Sequence, residues 1–358
     1  AEAYPVYLQE REHVAGSYED YLLENEYLAV TISSVSGRIV SMREKETGTE
    51  LIGRDGSAGF TYIETETATS NAWKIGRYLR ERPVGRCLKL ESVTDGSLRR
   101  SVKACWQIAN SRLEATYSLD KGQKAVKVEA KADWNESGSD MIPVLDYRIP
   151  LSYEPAEYQY DIPAGVIRRG PLHNDVPGLQ YGTALREAAP CAILISDSKY
   201  GYRGENQKLA LTLLNSSTYP DPYPERGIHH IALWLGTCSG DAREAEQMAE
   251  ACNHALFYQP SNSHHGSLPM EGSLLRAEAK HTVISAVLPG RDGSVLIRAY
   301  ETAGEREEVC LEFAAEVAQA RSVNLFGKEQ GTEAAVSGRK LTFTVEPYAL
   351  AQVEIRFA

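Results

Sequence analysis

YLAVTI at residues 27–32, the glycine at position 37 and RIVSM at residues 38–42 follow one another near the start of the chain. Apolar side chains occupy every second position of the first segment, so Leu28 and Ile32 share one face of an extended chain. Glycine is the residue that tight turns favour. The sequence therefore predicts a β-hairpin with one buried face.

The same period-two pattern recurs along most of the chain, bounded by Gly, Pro, Asn or Asp. Before residue 240 it predicts further strands at 59–64, 87–93, 99–108, 113–119, 124–134, 147–151, 192–195, 209–214 and 228–235. After residue 272 it predicts strands at 282–288, 295–300, 309–313, 321–325, 340–345 and 351–357. The second group is short and closely spaced, which is typical of a small β-sandwich.

One helix and one linker separate these two groups. Residues 241–252 predict a helix, with Asp241 as the N-cap and Glu244 at the capping-box spacing. The stretch after Phe257 is rich in Pro, Ser and Gly, as linkers are. We therefore predict a large all-β domain at 1–257, a linker at 258–272 and a small β-sandwich at 273–358.

The composition is that of an ordinary globular chain with an acidic balance. The chain has 358 residues, with 38 lysines and arginines against 49 aspartates and glutamates, a formal net charge of −11. This charge argues against nucleic acid or an anionic membrane as a partner, because both would be repelled. No apolar run approaches the ~18 residues that a membrane helix needs. We expect neither partner.

Six cysteines are scattered without a C-x-x-C pair. A zinc ribbon or a redox motif needs such pairs, so we expect free thiols in a reducing compartment and a cytoplasmic location. The chain begins with Ala1 and no initiator methionine, which suggests a processed chain or a piece of a longer protein.

The histidines do not form a recognisable metal site. His173 and Asp175 have the H-x-D spacing with which a loop can offer two ligands to zinc, but no further ligand follows at a recognisable spacing. His229 and His230 are adjacent, and adjacent residues on a strand point to opposite faces. These residues therefore predict no metal site.

Three tryptophans, Trp73, Trp106 and Trp134, lie in or beside predicted strands. Tryptophan has a large apolar area and more often anchors a core than binds a sugar. We predict core positions for them.

The densest polar segment, residues 197–206, directly follows the apolar strand at 192–195. It contains Asp, Lys, two Tyr, Arg and Asn, which together provide the aromatic faces and polar groups used in sugar recognition. Its glycines, Gly201 and Gly204, equally suit a plain hairpin loop. A second loop, residues 219–224, is stiffened by three prolines and lies close behind it. Both interpretations of the polar segment stay open.

Several of these segments resemble the C-terminal β region of the α-mannosidases of glycoside hydrolase family 38. The hairpin at residues 23–48 resembles the opening hairpin of that region, and residues 128–136 resemble its VDWxE strand. SDSKYGY at residues 196–202 resembles its NDxKYGY signature. Residues 209–229 and 253–256 continue the similarity, so that it extends in order along nearly the whole chain.

The resemblance implies an all-β fold with a large mutarotase-like β-supersandwich, one helix and a small C-terminal β-sandwich. It also implies an N-terminal catalytic barrel on the same polypeptide, which carries the zinc ion and the nucleophilic carboxylate. This chain shows no barrel-like alternation of strands and helices. We therefore expect no catalytic residue, no cofactor and no metal ligand here, and no activity of this piece alone, with zinc in the missing catalytic domain.

The resemblance further implies that loops of the sandwich reach the rim of the sugar pocket, with α-mannosides or oligosaccharides as ligands. By motif position the candidates are Asp197, Lys199, Tyr200, Arg203, Asp221 and His229. Ser196 departs from the asparagine of the signature, and Asn215 stands where arginine is usual.

Two other functions stay open. A stand-alone aldose epimerase on this sandwich needs an acid and a base on either side of a sugar ring, usually His with Glu. His173 and His229 are the histidines near strands that could serve. The other alternative is a module that binds sugars without chemistry.

Overall fold

The structure, a computed structural model, describes residues 19–54, 56–187, 190–267, 269–331 and 334–358. The chain start, which carries the prediction of a processed or shortened chain, lies outside these residues. The predicted hairpin is confirmed within an antiparallel three-stranded sheet of β1 (Tyr21–Glu24), β2 (Leu28–Ile32) and β3 (Ile39–Glu44). Leu28 and Ile32 are fully buried, as their alternation predicts.

The strands that follow, up to residue 238, form two large antiparallel sheets. They are β4 (Gly59–Glu66), β5 (Tyr78–Pro83), β6 (Lys89–Asp95), β7 (Arg99–Ile108), β8 (Ser111–Asp120), β9 (Ala125–Trp134), β10 (Met141–Pro150), β11 (Tyr158–Ile162), β12 (Gly165–Arg169), β13 (Val176–Pro177), β14 (Tyr181–Ala184), β15 (Cys191–Ser196), β16 (Gly201–Glu205), β17 (Lys208–Asn215) and β18 (Gly227–Cys238).

The two sheets enclose the main hydrophobic core. The six-stranded sheet has the order β13-β16-β17-β10-β4-β5, and the nine-stranded sheet has the order β12-β11-β14-β15-β18-β9-β8-β7-β6. Phe60 of the first sheet packs edge-on against Trp106 of the second, with ring centroids 5.8 Å apart. Alternate side chains of each strand therefore point into the sandwich, as packing of one sheet face on another requires.

Helix α1 (Ala242–Asn253) lies against the nine-stranded sheet. It begins where predicted, because the side chain of Asp241 accepts a hydrogen bond from the Glu244 amide at 3.0 Å. Ala245 and Ala249 are fully buried on its inner face. No helix in the described part of the chain has the length and apolar character that crossing a bilayer requires.

The last part of the chain is a small sandwich with its own core. Its strands are β19 (Leu275–Glu278), β20 (Thr282–Pro289), β21 (Val295–Glu301), β22 (Glu307–Phe313), β23 (Val317–Ser322), β24 (Ala334–Ser337), β25 (Lys340–Val345) and β26 (Leu350–Phe357). They form two four-stranded sheets, β19-β22-β25-β24 and β20-β21-β26-β23, around a second cluster that includes Ile297 and Phe343. The predicted fold class, an all-β mutarotase-like supersandwich followed by one helix and a small sandwich, is confirmed. The domain limits 1–257, 258–272 and 273–358 stay a prediction.

The sequence does not predict several short strands, namely β1, β5, β11 to β14, β19 and β24. In β5 nearly every residue is exposed, and Arg80, Glu81 and Arg82 break the alternation of a half-buried strand. It lies at a sheet edge, where little burial is needed. The strand predicted at 321–325 is also displaced, because β23 ends at Ser322.

Candidate functional site

The polar segment at 197–206 divides into an exposed turn and a strand, so the prediction of a continuous loop is wrong in its second half. Residues 201–205 form β16, which pairs with β17 and turns at Asn206, whose φ is 47°. Tyr202 joins the core. A Cβ on Gly204 would lie 2.2 Å from the Tyr158 ring, so this position needs glycine. Polar residues at the alternate positions gave this strand the composition of a loop.

Arg203 is the centre of a buried ion-pair cluster on the face of the six-stranded sheet that points away from the core. Its guanidinium donates to Asp146 Oδ2 at 2.7 Å, to Asp175 Oδ1 at 2.7 Å and to Glu205 Oε1 at 3.2 Å. Arg203 is 1% exposed and Asp146 is 0% exposed. Unpaired charges at this depth would be very unfavourable, so these groups depend on one another.

A second guanidinium completes the cluster. Arg148 donates to Asp146 Oδ2 at 2.8 Å and also to Glu81. Burial raises the pKa of Asp146, while Arg148 and Arg203 oppose that rise. We call this set the Arg203 cluster; its members are Arg203, Arg148, Asp146, Asp175, Glu205 and Glu81.

Tyr78, in β5, packs against the Arg203 cluster. The guanidinium carbon of Arg203 lies 4.4 Å from the centre of the Tyr78 ring, a cation–π contact. The Tyr78 hydroxyl accepts from Arg203 and donates to Asp175 Oδ1 at 3.3 Å, and Thr212 donates to Asp175 Oδ2 at 2.5 Å. Burial first and Asp175 second raise the pKa of Tyr78. The polar groups on this face therefore bind one another.

The geometry of His173 argues against epimerase chemistry at this face. Its Nδ1 atom lies 2.6 Å from Glu205 Oε2, and the imidazole is largely exposed. An aldose epimerase needs its acid and its base on opposite sides of a sugar ring. A His and a Glu in direct contact leave no room for that ring.

The zinc ion that the family resemblance implies does not fit these residues. Across the described residues, no three His, Cys, Asp or Glu side chains converge as metal ligands would. In the H-x-D pair, Asp175 is bound by Arg203 and Thr212, and His173 is bound by Glu205. The Asp175 carboxylate is therefore already engaged, which leaves His173 Nε2 as a single open nitrogen.

Asp197, Lys199 and Tyr200 lie in the turn between β15 and β16. The Ser196 hydroxyl accepts from the Lys199 amide at 3.1 Å, and Asp197 Oδ1 accepts from the Ser198 hydroxyl at 2.8 Å. The Tyr200 side chain is more than half exposed. The turn presents a carboxylate and a phenol at the surface beside a partly buried lysine, and its role in sugar binding stays a prediction.

Asp221 and His229 lie beyond β17, near the start of β18. Asp221 is exposed, and its Oδ1 accepts from the Tyr223 amide at 2.9 Å. His229 is half-buried, with Nε2 2.7 Å from the Glu225 carbonyl oxygen. Among the residues that the structure describes, no hydrogen bond or ion pair joins either residue to the turn at 197–200. The candidate residues thus lie in three separate places: the turn at 197–200, the Arg203 cluster, and the segment that carries Asp221 and His229. Their roles stay predictions.

The partners of Arg203 were not predicted from the sequence. Asp146 and Arg148 stand two residues apart in the apolar strand β10, so both point to one face. Charges of opposite sign at this spacing inside an apolar strand are a signal for a buried ion pair.

The tryptophan prediction is correct at two positions and wrong at the third. Trp106 and Trp134 are each 1% exposed, and their indole N–H groups donate to Ser36 O at 2.7 Å and to Ser216 Oγ at 2.8 Å. Trp73 is 69% exposed. It lies in a turn between β4 and β5 and not in a strand. The alternation of a sheet therefore does not direct its side chain into the core.

Two family profiles match the chain. Residues 281–351 match the glycosyl hydrolases family 38 C-terminal beta sandwich domain. Residues 23–223, more than half of the chain, match the glycosyl hydrolases family 38 C-terminal domain. The chain belongs to the C-terminal domains of glycoside hydrolase family 38. The resemblance inferred from the motifs is therefore confirmed.

Relatives of this family 38 chain are much longer than it is. Alpha-mannosidase G of Dictyostelium discoideum is 24% identical over 84% of this chain and 29% of its own length. Alpha-mannosidase 2C1 of Mus musculus is 27% identical over 64% of this chain and 23% of its own length. The chain thus spans less than a third of these curated relatives.

The solved structure of an alpha-mannosidase from Enterococcus faecalis V583 has the same fold. The two superpose with a TM-score of 0.73 over 94% of this chain and 42% of that chain, at 12% sequence identity. At this identity the likeness concerns the fold alone.

Proposed function

We propose that this family 38 chain is the non-catalytic C-terminal β region of an α-mannosidase, which packs on a separate catalytic barrel and contributes to carbohydrate binding. The observation that carries the proposal is the match of both C-terminal profiles, in order, to a chain that spans less than a third of its α-mannosidase relatives. The full protein would hydrolyse terminal α-mannosides.

Exposed apolar side chains after α1 support a protein partner. Leu256, Phe257 and Tyr258 are 100%, 95% and 83% exposed. Consecutive large apolar residues left in water are unfavourable, and such segments commonly mark interaction surfaces. We propose that this segment contacts the catalytic barrel.

The chemistry of hydrolysis belongs, in this proposal, to the catalytic barrel. The barrel would hold the zinc ion and the nucleophilic carboxylate. The sandwich would hold the barrel and present Asp197, Lys199 and Tyr200 to the sugar. Arg203 would act indirectly, because it is buried in β16, the strand that follows the turn, and would fix where the turn ends.

The six cysteines, all free thiols, support a reducing compartment. We therefore propose a cytoplasmic location. Alkylation of the protein, denatured directly on release from cells so that its buried thiols can react, followed by mass spectrometry, tests it: labelled thiols are expected, and disulfides would contradict it.

Co-purification tests the proposed partnership. The affinity-tagged chain is co-expressed with the catalytic region of its parent polypeptide, and we expect the two to elute together with α-mannosidase activity. Replacing Leu256 and Phe257 by Ser should weaken this retention, whereas Phe326→Ser, a 90% exposed position in the small sandwich, should not. Separate elution of the unmodified chain would overturn the proposal.

A further inference from the structure

Two aromatic rings stand side by side on the surface of the supersandwich. Trp73, between β4 and β5, and Tyr219, after β17, have ring centroids 6.3 Å apart and ring planes inclined at 59°. Trp73 is 69% exposed and Tyr219 is 59% exposed. We call this pair the Trp73–Tyr219 corner.

A buried asparagine fixes the corner. Asn71 is 3% exposed, and its Oδ1 accepts from the amides of Thr218 at 2.9 Å and Tyr219 at 3.1 Å. Its Nδ2 donates to Thr218 Oγ1 at 2.7 Å, and Asn215 donates to the Asn71 carbonyl at 3.2 Å. Two loops far apart in sequence are thereby locked together, so the rings lose little freedom when a ligand binds.

The Trp73–Tyr219 corner also has polar groups that are available to a ligand. The indole N–H of Trp73 and the hydroxyl of Tyr219 have no hydrogen-bond partner within the described part of the chain. The buried Trp106 and Trp134, by contrast, both donate. Two aromatic faces suit the C–H surfaces of a sugar, and free N–H and O–H groups suit its hydroxyls. A purely apolar partner would leave those polar groups unsatisfied.

We propose that the Trp73–Tyr219 corner is a binding site for a neutral pyranose unit of a mannose oligosaccharide, with the sugar stacked on Trp73. The site is distinct from the candidate turn at 197–200. The choice of mannose rests on the proposed function, whereas the choice of a pyranose rests on the rings and their free donors.

Titration of the full chain with mannotriose tests the proposal through acrylamide quenching of tryptophan fluorescence. Trp106 and Trp134 are buried and Trp234 is half-buried, so the part of the quenching that is lost in Trp73→Ala is the part that reports on Trp73. We expect mannotriose to protect Trp73, and saturation-transfer NMR to show contact with sugar ring protons. In the NMR titration, Tyr219→Leu should weaken binding about tenfold, and Trp73→Ala should weaken it by at least as much.

Two controls separate binding from folding. Phe326→Ala removes an aromatic ring of the small sandwich that is even more exposed than Trp73, and it should leave mannotriose binding unchanged. Asn71→Ala keeps both rings but frees the loops, so it should weaken binding in a protein whose unfolding still shows one cooperative transition. Unchanged quenching with the folded unmodified chain would overturn the proposal, as would equal losses in Phe326→Ala and Trp73→Ala.

The test also distinguishes the corner from the proposed partnership. If the chain retains the catalytic region but gives no mannotriose signal, the corner proposal fails alone. If it binds mannotriose but does not retain the catalytic region, the proposed partnership fails alone. A Trp73→Ala variant that loses the catalytic region yet binds mannotriose normally would also overturn the sugar site.

Discussion

Two carboxyl groups, Asp146 in β10 and Glu246 in α1, are both almost fully buried but have opposite surroundings. Asp146 receives hydrogen bonds from two guanidinium groups, those of Arg148 and Arg203, on a single oxygen. Glu246 is 2% exposed, forms no ion pair within the described residues, and leaves its Oε1 without a hydrogen-bond partner. Arg148 and Arg203 therefore oppose the effect of burial on the pKa of Asp146, whereas no cation in the described part of the chain does so for Glu246.

The surroundings of Glu246 explain its neutral form. Its neighbours are Tyr181 of the nine-stranded sheet, Tyr300 of the small sandwich, and the carboxylates of Asp161 and Glu250. Burial, and then Asp161, raise the pKa of Glu246 to about 8, against a usual value of 4.5. At Asp146 two arginines compensate a buried carboxylate, whereas at Glu246, between the nine-stranded sheet and the small sandwich, the carboxyl group keeps its proton instead.

Removing the central arginine should have the largest effect. In Arg203→Met the carboxylates of Asp146, Asp175 and Glu205 lose their common partner, so we expect a loss of about 3–5 kcal/mol in the free energy of unfolding, measured by urea titration. Arg99→Met breaks an exposed pair with Asp120 and should cost about 1 kcal/mol or less. Equal costs would show that the Arg203 cluster contributes no more than a surface pair.

The pH dependence of stability should follow Glu246. Between pH of about 5 and 8 the folded chain keeps the Glu246 proton and the unfolded chain releases it. The contribution of Glu246 to stability therefore falls by about 1.4 kcal/mol per pH unit and levels off above its folded pKa. Glu246→Gln removes this slope, so the variant should gain stability over the unmodified chain as the pH rises.

Gln247→Ala is the control for that pH series. Gln247 is the next residue of α1, and its side chain is exposed and uncharged. Its substitution should therefore leave the pH trend of stability unchanged. If Glu246→Gln and the unmodified chain run parallel from pH of about 5 to 8, Glu246 is not the buried neutral group described here.

The smallest effect is expected at Tyr78, whose ring covers the Arg203 guanidinium. Tyr78→Phe keeps the ring beside Arg203 but removes the hydroxyl that Arg203 and Asp175 share, at a cost of about 1 kcal/mol. Tyr348→Phe removes an exposed hydroxyl in the small sandwich and should cost less than about 0.5 kcal/mol in the same urea titration. If Tyr78→Phe lowers the free energy of unfolding by no more than Tyr348→Phe does, the Tyr78 hydroxyl does not stabilise the Arg203 cluster.

Regular alternation made much of the fold predictable. Residues 28–32, 99–108 and 124–134 alternate inside long paired strands, and Asp241 marks the start of α1 by a local hydrogen bond. Edge strands such as β5 were not predictable in this way, because nearly all of their side chains are exposed and the sequence carries no alternation of apolar and polar residues.

The candidate sites were less predictable, because their geometry depends on contacts between strands. Arg203 looks like a loop residue until β16 pairs with β17, and its partners Asp146 and Asp175 are 57 and 28 residues away along the chain. Trp73 looks like a core residue until Asn71 ties its turn to Thr218. Such long-range pairings leave no periodic trace in one sequence.

From the proposed function we predict that this chain hydrolyses no α-mannoside on its own. The most direct measurement is the release of 4-nitrophenol from 4-nitrophenyl α-D-mannopyranoside by the purified chain, with added Zn²⁺ and, separately, with a chelator. We predict no rate above that of the buffer in either condition. A rate that rises in proportion to the concentration of the chain, and that is lost in Glu205→Gln or Asp175→Asn, would contradict this prediction.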